Sequence, residues 1–550
     1  MRSTVEAASI RRDVVEDGCV TIRNYATRLQ YSAATHSTAT VCMNTTSNGN
    51  FANLLANAAS QFGDTPAIVA RTGTTSFDDL AKRSSAIAQL LGESGVDHGA
   101  TCAILLNDPT DAAASFFATL STGAIGINVN ELYRPRQIEY VLNHSRAKVV
   151  LTSDSVLQQL PRRLAAETRI VLVDTARATA GRFEVRASAD NGPAQVTYTS
   201  ASTGQPKGVV TSHGALWAGV RIVADYLGLR RDDRIAGLLP FSFVYGFNQL
   251  TTALYTGATL VVERSVLPAE IVATLRRERV TAVAGVPPLW RQLLGVPDFR
   301  NTPLPELRVM TCAGGRLSPA SVQDLRRAQP HARLFLMYGL TEVFRSTYLD
   351  PSEVDSHPDS MGRAVPESVV YVVGDDGRIA EDEEIGELVH GGPTVAIGYL
   401  HDPEATQRTF RPNPFLKAGS LEPRTVVFSG DLVRRDAEGR LYYVSRRDHL
   451  IKTLGFRVSP DEINDVLHAS GEVQDAAVVT EPDSIRGESI LACVVLRDDG
   501  SLDRLTRFAK IELPRHMQPA RFLVLDTIPR NGSGKHDILA LKEQVLQSRA

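Results

Sequence analysis

The sequence predicts an α/β protein: a large N-terminal body of mixed, mainly parallel sheets with flanking helices, a β-rich subdomain, and a small α+β C-terminal domain. Three observations predict it. The chain has 550 residues, more than one compact core accommodates, so two or more domains are expected. From Thr101 onward short β-branched runs alternate with helix-length amphipathic stretches, which is how parallel strands joined by crossover helices look in sequence. At "GRIAEDEEIGELVHGG" glycine-punctuated strands replace the helices, and a compact tail follows "SRRDHLIKTLGFRVSPDEI".

Taken in order, residues 1–48 are polar, rich in Ser, Thr and Asn, and lack a sustained amphipathic period, so a disordered extension is expected there. Met43 stands just before the first convincing helix, "FANLLANAASQFG", and a start at that methionine is an open reading. The body is expected over residues 49–447. Its strands are "TCAILLN", "AKVVLTS", "RIVLVDT", "QVTYTS", "RIAGLLP", "ATLVVE", "VTAVAGV", "LRVMTCA" and "RLFLMYG", with helices such as "DAAASFFATLSTG" and "PAEIVATLRRERV" between them. The β-rich subdomain is expected at about 360–445. The C-terminal domain, 448–550, is expected to hold helices at "PDEINDVLHAS" and "LDRLTRFAKIEL" and strands at "DAAVVTE", "ILACVVLR" and "ARFLVLD".

Composition excludes several classes. Hydrophobic residues at 43% and charged residues at 22% describe a globular chain, not a disordered or fibrous one. A net charge of −3 provides no basic field for nucleic acid or an anionic membrane surface. No apolar run is long enough to span a bilayer, and the N-terminus has no compact apolar signal core. Cys19, Cys42, Cys102, Cys312 and Cys493 are scattered, without a CxxC pair or zinc-ligand spacing, which fits a reducing compartment. A cytoplasmic location is the expectation.

The stretch "VTYTSASTGQPKGVV", residues 196–210, carries the strongest local signal. A strand running into Ser, Thr, Gly, Pro and Lys presents backbone NH groups, hydroxyls and one ammonium at a sheet edge, a composition suited to phosphates. The same residue types also serve plain surface turns. It is not a Walker loop, since Thr199 stands five residues before Gly204 and Gly208, not a hydroxyl, follows Lys207.

This stretch resembles the phosphate loop of the acyl-adenylate-forming superfamily of acyl-CoA synthetases, adenylation domains and luciferases, Y-T-S-G-T-T-G-x-P-K-G-V. It departs from that loop at Ala201 and Ser202. Ala201 restricts the backbone where glycine would not. Further stretches resemble the superfamily in the same order: "YGLTE" at 338–342, "GELVHGGPTVAIGYL", "SGDLVRRDAEGRLYYVSRRDHLIKTLGFRVSPDEI", and "IPRNGSGK". The resemblance runs from about residue 51 to the end, with Ser429 and Ser445 as small departures.

It implies that Ser200, Ser202, Thr203, Gly204 and Lys207 hold the pyrophosphate of ATP. It implies Glu342 as the magnesium-site carboxylate and Thr341 as an α-phosphate contact. Tyr338, with Gly339 beside it, would stack on adenine near Gly314 and Gly315. Asp431 would bind the ribose hydroxyls, with Arg446 nearby. Lys535, on a glycine loop, would bridge the carboxylate and the α-phosphate. The small C-terminal domain would be mobile, with Asp448 at its hinge and Lys452 and Gly455 lining an acceptor tunnel.

The acid would lie beside "LPFSFVYGFNQL", against Phe243, Val244, Tyr245, Asn248 and Ala313. Phe243 stands where many relatives have histidine. Val244 stands where amino-acid-activating members have aspartate, and a buried ammonium without a partner is costly, so an α-amino acid is disfavoured. An apolar acid with one polar contact is expected. CoA is the leading acceptor, with a carrier protein in trans or an amine as alternatives. A non-catalytic nucleotide-binding homologue is the rival from another class, favoured only by Ala201.

Overall fold

Short β-branched segments buried on both faces pair as parallel strands, and two such sheets organise the N-terminal body. The computed structural model describes residues 49–160, 168–176, 183–199, 206–417, 419–447, 451–453, 456–483, 487–531 and 534–547. The extension expected at residues 1–48 lies outside them.

Among the described residues, one sheet has nine strands. Its parallel centre runs Arg333–Tyr338, Val309–Cys312, Ala282–Gly285, Arg234–Gly237, Thr259–Val262 and Pro66–Ala70. Antiparallel strands close both edges, Gly73–Ser76 at one and Thr347–Leu349 with Arg363–Ala364 at the other. The second sheet has seven strands. Ile125–Asn128, Thr101–Ile104, Val149–Thr152 and Arg169–Leu172 are parallel, and Pro193–Thr199 joins them before the chain turns back as Lys207–Ser212.

Two helices fill the space between the sheets. Pro109–Ser121 and Val244–Thr256 are buried nearly all round, the signature of helices with no solvent face. Phe116 of the first meets Phe247 of the second with ring centroids 4.6 Å apart. The first packs on strands Thr101–Ile104 and Ile125–Asn128, the second on Arg234–Gly237 and Thr259–Val262. The aromatic contact therefore joins the two sheets through a helical middle layer.

An antiparallel β-rich piece follows, with Val369–Val373, Gly386–Gly391, Thr425–Arg435, Phe410–Pro412 and Leu441–Arg446 paired in one sheet. The C-terminal sheet comprises Phe456–Val458, Ile451–Thr453, Gly487–Leu496 and Val473–Asp483, with Arg521–Val524 parallel to Gly487–Leu496. Helices Pro460–Ala469 and Leu502–Glu512 cover it as expected. No helix among the described residues is long and apolar enough to cross a membrane.

The structure departs from the expected elements in three places. Lys207–Ser212, for which no element was expected, is a strand antiparallel to Pro193–Thr199. Strands Pro66–Ala70, Gly73–Ser76 and Ile125–Asn128 exist where no strand was expected; they are four or five residues long, too short for periodicity to register. Helix Ile538–Gln547 buries Leu541 and Val545 on the C-terminal sheet, a contact that its weak amphipathic pattern does not announce.

The starts of three central strands are tied by one carboxylate. Asp233, 2% exposed, accepts from Arg308 Nε at 2.7 Å, Thr281 Oγ1 at 2.6 Å and the Arg230 amide at 2.6 Å. Removing it strands the Arg308 charge against the core. Asp233→Ala is expected to destabilise the protein by about 3 kcal/mol, measured as a lowered midpoint in urea denaturation; an unchanged midpoint would refute the assignment.

Candidate functional site

The C-terminal ends of parallel strands are where an α/β sheet leaves a crevice. Val309–Cys312 runs into Ala313, Gly314 and Gly315, and Arg333–Tyr338 ends on Gly339. Gly314 has φ +80, a conformation that side chains disfavour, and a Cβ there would lie 3.4 Å from Val286 Cγ1 and 3.9 Å from Lys535 Cε. Gly339 leaves little room for a side chain: a Cβ would stand 3.1 Å from both Arg345 Cα and Phe344 O, so the backbone would have to give by a few tenths of an ångström. Of the hydroxyl loop, Ser200, Ala201, Ser202, Thr203 and Gly204 lie outside the described residues.

Lys207 opens its strand beside this crevice. Its Nζ lies 4.9 Å from the centroid of the Tyr399 ring, and the Tyr399 hydroxyl donates to Glu342 Oε1 at 2.6 Å. Tyr399 reaches this position because Gly398–Tyr399 pairs with Lys207–Ser212 at the sheet edge. Burial, then the Glu342 charge, pushes its pKa up, so the phenol stays a donor. Thr341 and Glu342 form a single 3-10 turn, Thr341–Val343. At its end Phe344 has φ 60 and ψ −59, and the Arg345 amide donates to Val343 O at 2.5 Å, a tight γ-turn. The strain is held by packing: the Phe344 ring lies where Gly219 leaves space, 2.7 Å from a Cβ built there.

Tyr338 and Asp431 meet directly, the phenol donating to Asp431 Oδ2. Arg446 Nη1 stands 3.3 Å from Asp431 Oδ1, and the two residues face each other in register across paired strands. Ser429 orients the carboxylate's backbone, accepting from the Asp431 amide at 3.0 Å and donating to Leu388 O at 2.6 Å. Burial first, then the Asp431 charge, raises the Tyr338 pKa.

Lys535 arrives from the C-terminal sheet. Its loop is closed by Asn531 N to Lys535 O at 2.8 Å, by Lys535 N to Asn531 Oδ1 at 3.1 Å, and by a bridge between Arg530 and His536. The residue keeps exposed surface, yet the groups around it desolvate the ammonium and lower its pKa. Arg446 lowers it too, and Asp431 opposes them. Asp475, 8% exposed, anchors the loop. It accepts from Arg530 Nη2, lies 3.1 Å from His536 Nε2 through both oxygens, and faces Arg291 Nη2 at 3.6 Å on helix Pro287–Leu294 of the body. Arg316 makes a second tie to Asp465 of helix Pro460–Ala469.

The expected acyl-pocket residues divide. Tyr245 Oη lies 2.5 Å from Thr311 Oγ1, on the strand that leads to buried Ala313. Asn248, 4% exposed, is one turn along the helix from Tyr245. Phe243 is the N-cap residue of that helix and, with Ser242, lines a cavity toward Asn128, Tyr133 and Tyr198. Val244 opens the helix and is half-buried. The surroundings are more polar than the apolar acid expected from sequence, because the Arg345 guanidinium lies 4.9 Å from the Tyr245 ring centroid. Asp448 and Gly455 lie outside the described residues; Lys452 belongs to strand Ile451–Thr453.

The structure thus brings together Lys207 with Glu342, and Tyr338, Asp431, Arg446 and Gly314 with Lys535. Sequence reasoning missed Tyr399, Arg345 and Asp475. Only the first had a signal, the G-Y pair that closes "GELVHGGPTVAIGYL".

Residues 55–400 match the family model described as AMP-binding enzyme, and residues 462–535 match the AMP-binding enzyme C-terminal domain. Among curated proteins the chain is 28% identical over 480 residues to bacitracin synthase 3 of Bacillus licheniformis, covering 87% of this chain and 7% of that one. It is also 28% identical to delta-poly-L-ornithine synthetase of Acinetobacter baumannii over 505 residues, covering 90% of this chain and 37% of that protein. The chain therefore spans only part of the curated relatives it matches. Solved structures match nearly end to end. The o-succinylbenzoate CoA synthetase of Bacillus subtilis, in complex with its acyl-adenylate intermediate, is 26% identical with a TM-score of 0.78, over 90% of this chain and 97% of that one. A benzoate CoA ligase from Burkholderia xenovorans is 25% identical with a TM-score of 0.78, over 90% and 99%.

The Asp475 contacts set a pH dependence. Burial acts to raise its pKa, but His536, then Arg530 and Arg291, outweigh burial and hold it at about 2, below the ordinary 3.8. The stability that these contacts supply is therefore present above pH 3.8 and lost as pH falls through 2. Asp475→Asn is expected to expose residues 530–536 to proteolysis at neutral pH and to remove this acid limb from the loop's hydrogen-exchange profile. Unchanged cleavage and exchange would refute the anchor.

Proposed function

The chain belongs to the AMP-binding enzyme family, and from that premise we propose that it activates a carboxylic acid with ATP and passes the acyl group to the thiol of CoA. In the first step a carboxylate oxygen attacks the α-phosphorus. The bond from that phosphorus to the bridging oxygen breaks, acyl-AMP forms and pyrophosphate leaves. Attack brings two anions together, so the residues must offset repulsion before they can speed the reaction.

The observation that carries this reading is the position of Lys535, delivered from the C-terminal sheet to within 3.9 Å of the place a Gly314 Cβ would occupy, with Asp431 and Arg446 as its charged neighbours. In this reading Lys535 neutralises charge between carboxylate and α-phosphate, and Asp475 is a positioning residue that holds its loop. An ammonium about 4 Å from a developing charge contributes at most about 4 kcal/mol at moderate dielectric, and less where it stays exposed to water. Lys207 takes the pyrophosphate with the hydroxyl loop, Ser200, Ser202, Thr203 and Gly204. Gly314, Gly315 and Gly339 give the base and α-phosphate a close backbone approach, and Asp431, oriented by Tyr338, Ser429 and Arg446, accepts from the ribose. Thr341 donates to the α-phosphate.

Magnesium fits Glu342. A single carboxylate with Oε1 fixed by Tyr399 suits an ion held mainly by phosphate oxygens, and the described residues contain no cluster of three acidic, His or Cys side chains that would make a closed protein cage. When bound, the ion supplies charge neutralisation on the phosphates. Tyr399 keeps the carboxylate in place.

CoA is preferred as acceptor because CoA ligases match 90% of the chain and nearly all of their own length, and the run "IKTLGFRVSPDEI" is intact. In this proposal Asp448 is the hinge about which the C-terminal domain, 448–550, turns after adenylation, and Lys452 and Gly455 line the thiol's path. A carrier-protein thiol or an amine is the second reading, favoured by the 28% identity to bacitracin synthase 3 and to delta-poly-L-ornithine synthetase.

Acid-dependent exchange of labelled pyrophosphate into ATP tests the first step. Lys535→Ala is expected to slow it by roughly two to three orders of magnitude while leaving ATP binding within a few-fold; exchange at the wild-type rate would refute the role. Offering preformed acyl-AMP to CoA, a phosphopantetheinylated carrier and free amines ranks the acceptors, and product with amines alone would overturn the CoA assignment.

A further inference from the structure

Arg345 is 3% exposed, and no carboxylate among the described residues forms a salt bridge with it. Its Nε and Nη2 are buried without a hydrogen-bond partner. Those two nitrogens form one edge of the guanidinium, the edge whose parallel N–H bonds match the two oxygens of a carboxylate. A buried cation with that edge open is costly, and a ligand carboxylate would complete it. The other neighbours only soften the cost. The guanidinium lies 4.9 Å from the Tyr245 centroid, and the Tyr226 hydroxyl, which donates to Met337 Sδ at 3.0 Å, is near enough for a polar contact with it, although Nε and Nη2 stay without a partner.

The surroundings repeat the pattern. Tyr245, Asn248 and Gln249 stand at i, i+3 and i+4 of helix Val244–Thr256 and so share a face. Asn248 Nδ2, Gln249 Nε2 and Gln249 Oε1 are buried and without partners, as is Ser346 Oγ next to Arg345 in sequence. Most buried polar atoms in native proteins are paired. Here unpaired polar atoms share the helix face of Tyr245, the residue whose ring lies against the Arg345 guanidinium. The location separates this group from the phosphate side, where Lys207, Tyr399 and Glu342 already pair with one another.

We propose that Arg345 binds a second, distal carboxylate of the acid substrate, with the amides of Asn248 and Gln249 as further donors, so that the enzyme activates one end of a dicarboxylic acid. This rests on the acid-activating reading above and replaces the apolar acid expected from sequence. The reacting carboxylate lies toward Lys535, and the distal one is held by the guanidinium fork. A monocarboxylic acid of the same shape would leave the fork unpaired, and a site built to pair a polar group rejects an analogue that lacks it.

The test uses the full chain and matched acid pairs: benzoate against its ring-carboxylated analogues, and linear monoacids against α,ω-diacids of equal length. In pyrophosphate exchange the wild type is expected to favour the diacids by about 100-fold or more in kcat/KM. Arg345→Met should lose that preference, keep the monoacids within a few-fold and leave the KM for ATP unchanged. Arg345→Lys should restore only part of it, since the ammonium lacks the fork. The Tm of unliganded Arg345→Met should be unchanged or raised, because an uncompensated buried charge is removed.

Equal use of monoacids and diacids by the wild type would overturn the proposal. So would a loss common to all acids with a lowered Tm, which marks a packing role, or a raised KM for ATP with unchanged acid selectivity, which puts the guanidinium on the nucleotide. If no acid of either kind supports exchange, the acid-activating reading fails separately. Thermal shift with diacids then decides the site: stabilisation of the wild type but not of Arg345→Met upholds the anion subsite, and its absence overturns it.

Discussion

Two anions react only where their repulsion has been offset in advance, and the cations gathered at the strand ends answer that constraint. Lys207 is stacked on Tyr399 and Arg446 is paired with Asp431, so both are fixed before any ligand arrives. Lys535 differs. It comes on a loop from another sheet, and its position depends on Asp475 gripping Arg530 and His536 on either side while facing Arg291 on the body. Its loop is held at the surface by ion pairs and is not built into the core. The exposed ion pair of Arg316 with Asp465 belongs to the same class.

The fixed part of the site is held by packing and local strain. Phe344 occupies a conformation with positive φ that only its surroundings maintain, its ring seated where Gly219 has no side chain. That turn sets Thr341 and Glu342 on one side and Arg345 on the other. Gly339 allows the returning chain to pass at 3.1 Å from where its Cβ would stand. Two glycines and one strained residue thus decide how the backbone turns between Glu342 and Arg345. Below them, the Phe116–Phe247 contact keeps the two sheets in fixed relation, so the loops at their ends stay in register.

Buried polarity marks the ligand side of this arrangement. Asp233 in the core has its oxygens paired with Arg308, Thr281 and Arg230, as a structural carboxylate should. Arg345 is as deeply buried but keeps an open edge. The contrast separates a charge that stabilises the fold from one that the fold sustains for another purpose, since only the first recovers its desolvation cost within the protein.

Much of this protein was legible in its sequence. The alternation of β-branched runs with amphipathic segments determined the parallel sheets and their helices, because those periods reflect how strands and helices bury their faces. The ordered motifs determined the family, and they named Lys207, Glu342, Tyr338, Asp431 and Lys535, although Lys207, Tyr338 and Asp431 stand on strands. What sequence did not determine depends on contacts between distant segments. The return of the hydroxyl loop as a strand is fixed by pairing of Lys207–Ser212 with both Pro193–Thr199 and Gly398–Tyr399. Asp475 lies 60 residues from Lys535 and reads as an ordinary strand residue. Arg345 reads as a surface cation until the helix bearing Tyr245 covers it. Whether a charge is paired, buried or open is a property of its neighbours in space, and only the tertiary structure supplies them.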